Sequence, residues 1–138
     1  SEAMQVLNTS TGRVLYVEDN PSNVLLVRDA LSLRPGISLT VATNVAEGLK
    51  AIAQDSFELI LLDLQLPDGD GYDVFQAVRQ QRHYTPCVAL TANAMLNERN
   101  RALEAGFDAF WTKPLNLPEF LAGVDEWLRQ RRPTMRSA

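Results

Sequence analysis

Five short apolar runs, each followed by a longer amphipathic segment, narrow most sharply what this 138-residue chain can become. The runs are RVLYV (13–17), ISLTVA (37–42), FELILLD (57–63), PCVALT (86–91) and AFWT (109–112). Segments 21–33, 45–55, 72–82, 94–106 and 117–132 place apolar residues at helical spacing. Strands alternating with helices of this length build parallel βαβ units, with one sheet covered on both faces. The unbroken apolar stretches at 59–62 and 87–90 suit strands buried on both sides. Local punctuation agrees. Asn20 and Asn44 stand where helix N-caps are needed, Pro21 takes a first helical position and Pro118 lies in the first turn of the last helix. Gly106 closes the fourth helix, and Pro35-Gly36 makes the turn into the second strand.

The length is that of one domain, and 46% hydrophobic residues can supply its core. Residues 1–11 read as a lead, with Ser1 to Ala3 ahead of Met4 as remnants of expression; 12–132 read as the domain and 133–138 as a tail. No apolar run approaches the ~20 residues of a membrane span. The opening SEAMQVLNTS lacks the basic and apolar regions of a signal peptide. Both features predict a cytoplasmic protein that does not engage membranes. The net charge of −4 argues against direct nucleic-acid binding. Cys87, the single cysteine, cannot form an internal disulfide and reads as a small buried hydrophobe. His83 reads as a solvated side chain, Trp111 and Trp127 as packing residues, and the basic RQRR (129–132) as a complement to the last helix dipole.

In open α/β sheets, ligands gather beyond the carboxyl ends of the strands. Glu18 and Asp19 follow the first strand, Asp63 ends the third, Thr91-Ala92 ends the fourth, and Lys113-Pro114 follows the fifth. Singly, each has an ordinary explanation as a cap, a turn residue or a solvated charge. Together they make three carboxylates, one ammonium and one hydroxyl at one sheet edge. Crowded carboxylates raise one another's pKa and stay ionised only beside a cation. Oxygen-only donors favour a hard ion, Mg²⁺ rather than Zn²⁺. A lysine and a threonine hydroxyl opposite are suited to phosphoryl oxygens.

The segments VLYVEDN, LILLDLQLPDGDG, ALTA and WTKPL, in this order and at these strand ends, resemble the response-regulator receiver domain of two-component and phosphorelay signalling. The resemblance covers about residues 12–131. It implies a flavodoxin-like (βα)5 fold, doubly wound, with strand order 2-1-3-4-5. It further implies that Asp63 is the phosphorylated carboxylate. Asp19, Asp63 and the backbone carbonyl of Gln65 would hold Mg²⁺, or Mn²⁺ in its place, with Glu18 acting through a water. Thr91, the Ala92 N–H and Lys113 would contact the phosphoryl group. Thr91 and Phe110 would form the switch, Gln65 and Asn93 would tune the lifetime, and the Lys113-Pro114 bond would be cis. The partner would be a histidine kinase or a histidine phosphotransfer domain. The output surface would be helix 4, strand 5 and helix 5, through which a homodimer could also form. VEDNPSNVLLV resembles receivers of hybrid histidine kinases more than those of transcription factors, and no DNA-binding segment is expected after residue 132.

Four positions depart from the commonest pattern. The acidic pair is Glu18-Asp19 rather than two aspartates, and Leu66 stands where methionine is frequent. Gly69 replaces an apolar residue and is expected to loosen its loop. Phe110 replaces the more frequent tyrosine and keeps an aromatic ring without the hydroxyl. Two rival readings share the same residues: a Mg²⁺-dependent aspartyl-phosphate phosphohydrolase, disfavoured by Gln65 where a second acid is wanted, and a non-phosphorylated pseudo-receiver, disfavoured by the complete set of polar residues. In the switch reading the chain catalyses its own phosphoryl transfer and autodephosphorylation.

Overall fold

The computed structural model describes residues 10–81 and 84–130. The elements alternate as the apolar runs predict: β1 (Gly12–Val17), α1 (Pro21–Leu31), β2 (Ile37–Ala42), α2 (Val45–Gln54), β3 (Leu59–Asp63), α3 (Gly71–Gln81), β4 (Cys87–Thr91), α4 (Leu96–Ala105), β5 (Ala109–Thr112) and α5 (Leu117–Gln130). All four strand pairs are parallel, and the order is β2-β1-β3-β4-β5. This is the flavodoxin-like, doubly wound arrangement. His83, Arg131, Arg132 and the terminal segments read from sequence as lead and tail fall largely outside the described residues.

The period-2 alternation of the strands divides the core into two layers. Val14, Tyr16, Leu59, Leu61, Val88 and Leu90 face α1 and α5, where Val27, Leu31, Phe120 and Val124 meet them. Leu15, Val17, Ile60, Leu62, Cys87 and Ala89 face the other way, against Val45, Ile52, Val74, Phe75, Val78 and Ala102 of α2, α3 and α4. Full burial of each large side chain contributes about 1.5–3 kcal/mol before entropy is counted. β3 and β4 are buried at every position, as their unbroken apolar runs require. Trp111 is half-buried, with its ring edge-on to Phe120 at 5.9 Å.

The caps are where the sequence places them. Asn20 Oδ1 accepts the Ser22 and Asn23 amides, and Asn44 Oδ1 accepts the Glu47 amide. Gly106 closes α4 in the left-handed region, at φ 112°. Three boundaries within the described residues differ from expectation by two residues, the others by one or none. α1 stops at Leu31 rather than residue 33, because the Leu33 and Arg34 amides turn back to Ala30 and Leu31 while Arg34 swings inward. β3 begins at Leu59 rather than 57, since the Glu58 carboxylate takes the Arg13 amide at 2.6 Å. α4 begins at Leu96 rather than 94, because Thr91 Oγ1 and Asn93 Oδ1 capture the Asn93 and Met95 amides in turns.

At the amino edge of the sheet, Arg34 and Asp125 form a buried ion pair with contacts of 2.8 to 3.1 Å. Ser10 donates to the same carboxylate. This pair ties α5 to the turn before β2, far from the polar residues at the carboxyl edge.

Candidate functional site

Parallel register brings the strand ends together. Val17 lies opposite Leu62, so Glu18 and Asp63, the next residues of β1 and β3, become neighbours. Asp63 lies opposite Leu90, and Thr91 opposite Thr112, which sets Lys113 just past β5. The result is an open cleft of ≈ 550 Å³ lined by Glu18, Asp19, Asn20, Pro21, Asp63, Gln65, Leu66, Pro67 and Lys113.

Lys113 Nζ donates to Glu18 Oε1 at 2.8 Å and to Asp63 Oδ2 at 3.0 Å. The side chains of Glu18 and Asp63 are 1% and 5% exposed, so this one ammonium answers two desolvated carboxylates. Asp19 stays exposed at the mouth. Carboxylate oxygens of Glu18, Asp19 and Asp63 lie within 4.8 Å of one another, close enough to share one cation. The donor chemistry is oxygen throughout, which fits a hard divalent ion.

The two buried acids differ in state because their donors differ. Burial pushes Asp63 up to about 6 against the lowering influence of the Gln65 amide and Lys113, and Glu18 beside it adds to the rise. Burial also works to raise Glu18, but Lys113, the proton shared with Asp63 and the Asn20 amide outweigh it and hold it below the usual range. Glu18 has further donors in the Tyr16 hydroxyl at 3.0 Å and the Asn23 amide nitrogen at 3.3 Å. Between the pair, Glu18 keeps the charge and Asp63 holds the proton longer. Burial works to lower the Lys113 ammonium, and the two carboxylates more than reverse this. The crowding read from sequence therefore adds to the rise of Asp63, while Glu18 is held down.

The other candidate residues stand around this cleft or behind it. Gln65 donates its amide to Asp63 Oδ1 at 3.0 Å. Thr91 is buried at the end of β4; Ala92 is exposed beside it and Asn93 half-buried, and none of the three lines the cleft. Phe110 points into the core at 8% exposure. The Lys113–Pro114 peptide is cis. Cys87 is fully buried, its thiol pushed up to about 12 by burial.

Sequence reading missed Tyr16, Asn20 and Asn23 as partners of Glu18. Strand alternation held the signal for Tyr16, which shares a sheet face with Glu18 two residues on. The loop expected to be loosened by Gly69 is bonded within itself and to α2. Leu66 and Gly69 exchange backbone hydrogen bonds, and Asp68 reaches the start of α2.

A family model described as the response regulator receiver domain matches residues 14–125. The sensor histidine kinase GacS of Pseudomonas protegens is 38% identical over 132 residues, which cover 92% of this chain and 14% of GacS. The response regulator protein PilR of Pseudomonas aeruginosa is 34% identical, over 94% of this chain and 29% of PilR. The chain thus spans about one seventh of GacS and under a third of PilR. Among solved structures, a CheY-like receiver domain protein from Methanospirillum hungatei superposes with TM-score 0.80 at 29% identity, over 88% of this chain and 97% of that one. The receiver domain of the sensor histidine kinase PA1611 from Pseudomonas aeruginosa, with a magnesium ion coordinated in its active-site cleft, gives 0.77 at 29% identity, over 87% and 99%. Among the described residues no helix is long and apolar enough to cross a membrane.

Proposed function

The chain belongs to the response-regulator receiver domain family, and from that premise we propose that it is a phospho-acceptor switch, with Asp63 as the residue that takes the phosphoryl group. The observation that carries this reading is the single ammonium of Lys113 bonded at once to Asp63 and Glu18 inside an acidic cleft. A structural ion pair needs one carboxylate; a cluster of three, two of them bonded to one lysine, at the ligand edge of the sheet suits phosphoryl chemistry.

The donor set fits Mg²⁺, with Mn²⁺ as a substitute: Asp19, Asp63 and the Gln65 carbonyl would hold it, with Glu18 through a water. When bound, the ion offsets the charge gathered on the carboxylates and the phosphoryl oxygens. The donor is a phosphohistidine on a histidine kinase or phosphotransfer domain. An Asp63 carboxylate oxygen attacks phosphorus, the P–O bond forms as the P–N bond breaks, and the bond's electron pair returns to the imidazole. Lys113 neutralises the equatorial oxygens as they gain charge. The Thr91 hydroxyl and the Ala92 N–H contact the same oxygens. Water later cleaves the acyl phosphate, returning phosphate and the carboxylate, with Gln65 and Asn93 flanking its approach.

The readout is a two-state surface. Thr91 moving toward the phosphoryl group frees space for Phe110 to turn inward or outward beside α4, β5 and α5. That surface is the output face, and a homodimer through it is one consequence. The chain acts in the cytoplasm without contacting nucleic acid or membrane, as a stand-alone regulator or as a receiver within a longer protein, and the VEDNPSNVLLV segment favours a hybrid histidine kinase over a transcription factor.

Incubation with beryllofluoride, an acyl-phosphate mimic, and with a phosphorylated histidine phosphotransfer domain tests the assignment. Wild type takes up label only when Mg²⁺ is present, and Asp63→Asn takes up none. Labelling of Asp63→Asn, or equal labelling in EDTA, refutes the reading. Steady turnover of phosphoesters points instead to a hydrolase.

A further inference from the structure

Asp68 lies in the loop that follows Asp63, yet its carboxylate serves a different element. Oδ1 accepts the Val45 amide at 2.7 Å and Oδ2 the Ala46 amide at 3.1 Å. These are the first two amides of α2, which have no partner within the helix. The Val45 amide foremost holds the Asp68 carboxyl below its usual range.

α2 also carries a local cap of its own, on its third amide. Asn44 accepts the Glu47 amide at 2.8 Å, and the Glu47 carboxylate returns to the Thr43 amide at 2.7 Å and hydroxyl at 2.9 Å. What Asp68 adds is a fastening between the helix and the acceptor loop. That loop is closed within itself: Leu66 N–H donates to Gly69 O at 3.2 Å, Gly71 N–H to Leu64 O at 3.3 Å, and Gln65 N–H to Asp63 Oδ1 at 3.0 Å. Its approach to α2 requires Gly69. The φ there is +157°, and a Cβ would meet Asp73 Oδ2 at 2.8 Å and Val45 Cγ2 at 3.2 Å.

We propose that Asp68 is a positioning residue of the acceptor site. By fastening residues 64–70 to the start of α2, it fixes the Gln65 backbone and, through the Gln65 amide, the orientation of the Asp63 carboxylate. Asp68 touches neither the cleft nor any reacting group; it acts through the loop. The inference rests on reading the cleft as a Mg²⁺-dependent acceptor site, and it makes the substitution of glycine at position 69 a device that lets the loop dock.

The test compares two variants of the full chain that each strip a cap from the same helix. Asp68→Ala unfastens the loop as well; Asn44→Ala does not. Mg²⁺ binding measured by calorimetry weakens about tenfold in Asp68→Ala, the lower end for losing a partner that orients a metal ligand, and is unchanged in Asn44→Ala. In metal-free protein the Gln65, Leu66 and Gly69 amides exchange faster in Asp68→Ala only. Gly69→Ala reproduces both effects, and Asp68→Asn, which keeps one acceptor oxygen, recovers part of the affinity. Equal Mg²⁺ affinity in wild type and Asp68→Ala overturns the inference. So does an equal loss in both cap variants, because helix stability would then be the cause. If wild type binds neither Mg²⁺ nor beryllofluoride, the acceptor reading itself fails, an outcome separate from either of these.

Discussion

Replacing Asp63 with asparagine removes a carboxylate whose charged form the fold disfavours. Burial lifts its pKa from 3.8 to about 6. In the unfolded chain the same group titrates near its ordinary value. Between about pH 4 and pH 6 the folded protein therefore binds more of this proton than the unfolded chain does. Stability falls with rising pH wherever the native state holds the excess proton, so the penalty grows across that window and is complete above it. A gap of about two pKa units corresponds to about 3 kcal/mol at 1.36 kcal/mol per unit. The side chain is only 5% exposed, so solvent screening removes little of this. Asparagine does not titrate and keeps an oxygen for the Gln65 amide. The carboxylate's bond to Lys113 is already counted in the raised value, and asparagine keeps an oxygen for that ammonium while Lys113 retains Glu18. The variant should be more stable than wild type by about 2–3 kcal/mol at pH 7 and of nearly equal stability at pH 4. Urea denaturation in EDTA at four pH values between these limits measures the difference directly. A difference that stays flat with pH, or that grows toward acid, would refute the burial argument for Asp63.

Three further outcomes follow from contacts remote from the cleft. Arg34→Ala leaves Asp125, 2% exposed at its side chain, with the Ser10 hydroxyl as its remaining donor among the described residues and should destabilise the domain by about 3–5 kcal/mol; a loss under about 1 kcal/mol in chemical denaturation contradicts this. The Cys87 thiol, fully buried with its pKa pushed up to about 12, should react with an aromatic disulfide reagent only after unfolding; stoichiometric labelling of native protein within minutes speaks against its burial. Gly123→Ala sets a Cβ 2.7 Å from Trp111 Cζ2, so the ring must move; overpacking of about 1–3 kcal/mol exceeds the roughly 1 kcal/mol gained in helix propensity. Destabilisation with a red-shifted tryptophan emission is the expected result, and unchanged emission with raised stability the contrary one.

The architecture was legible because it is written in local periods. Strand-length apolar runs, capping asparagines and Gly106 each act within a few residues, and parallel pairing of such units leaves few topologies. The cleft was legible for a related reason. In a parallel sheet every strand ends on the same edge, so residues far apart in sequence become neighbours without any knowledge of side-chain packing. Glu18, Asp63 and Lys113 meet by that rule alone. The rule assigns positions and stops there. It does not distribute charge between Glu18 and Asp63, because that depends on Lys113, the shared proton and the Asn20 amide outweighing burial at Glu18, where Tyr16 and Asn23 are further donors. It does not reveal the Arg34–Asp125 pair, which joins the turn before β2 to the interior of α5 at the opposite edge, where sequence reading sought no chemistry. Gly69 shows the limit most clearly. Read along the chain, a glycine beside Asp68 signals a loose loop. Read in space, the missing side chain is what lets Val45 and Asp73 come close, and Asp68 then fastens the loop to a helix that began long before it. A glycine's effect on order therefore depends on whether another element fills the space its side chain vacates, and no stretch of sequence around it carries that information.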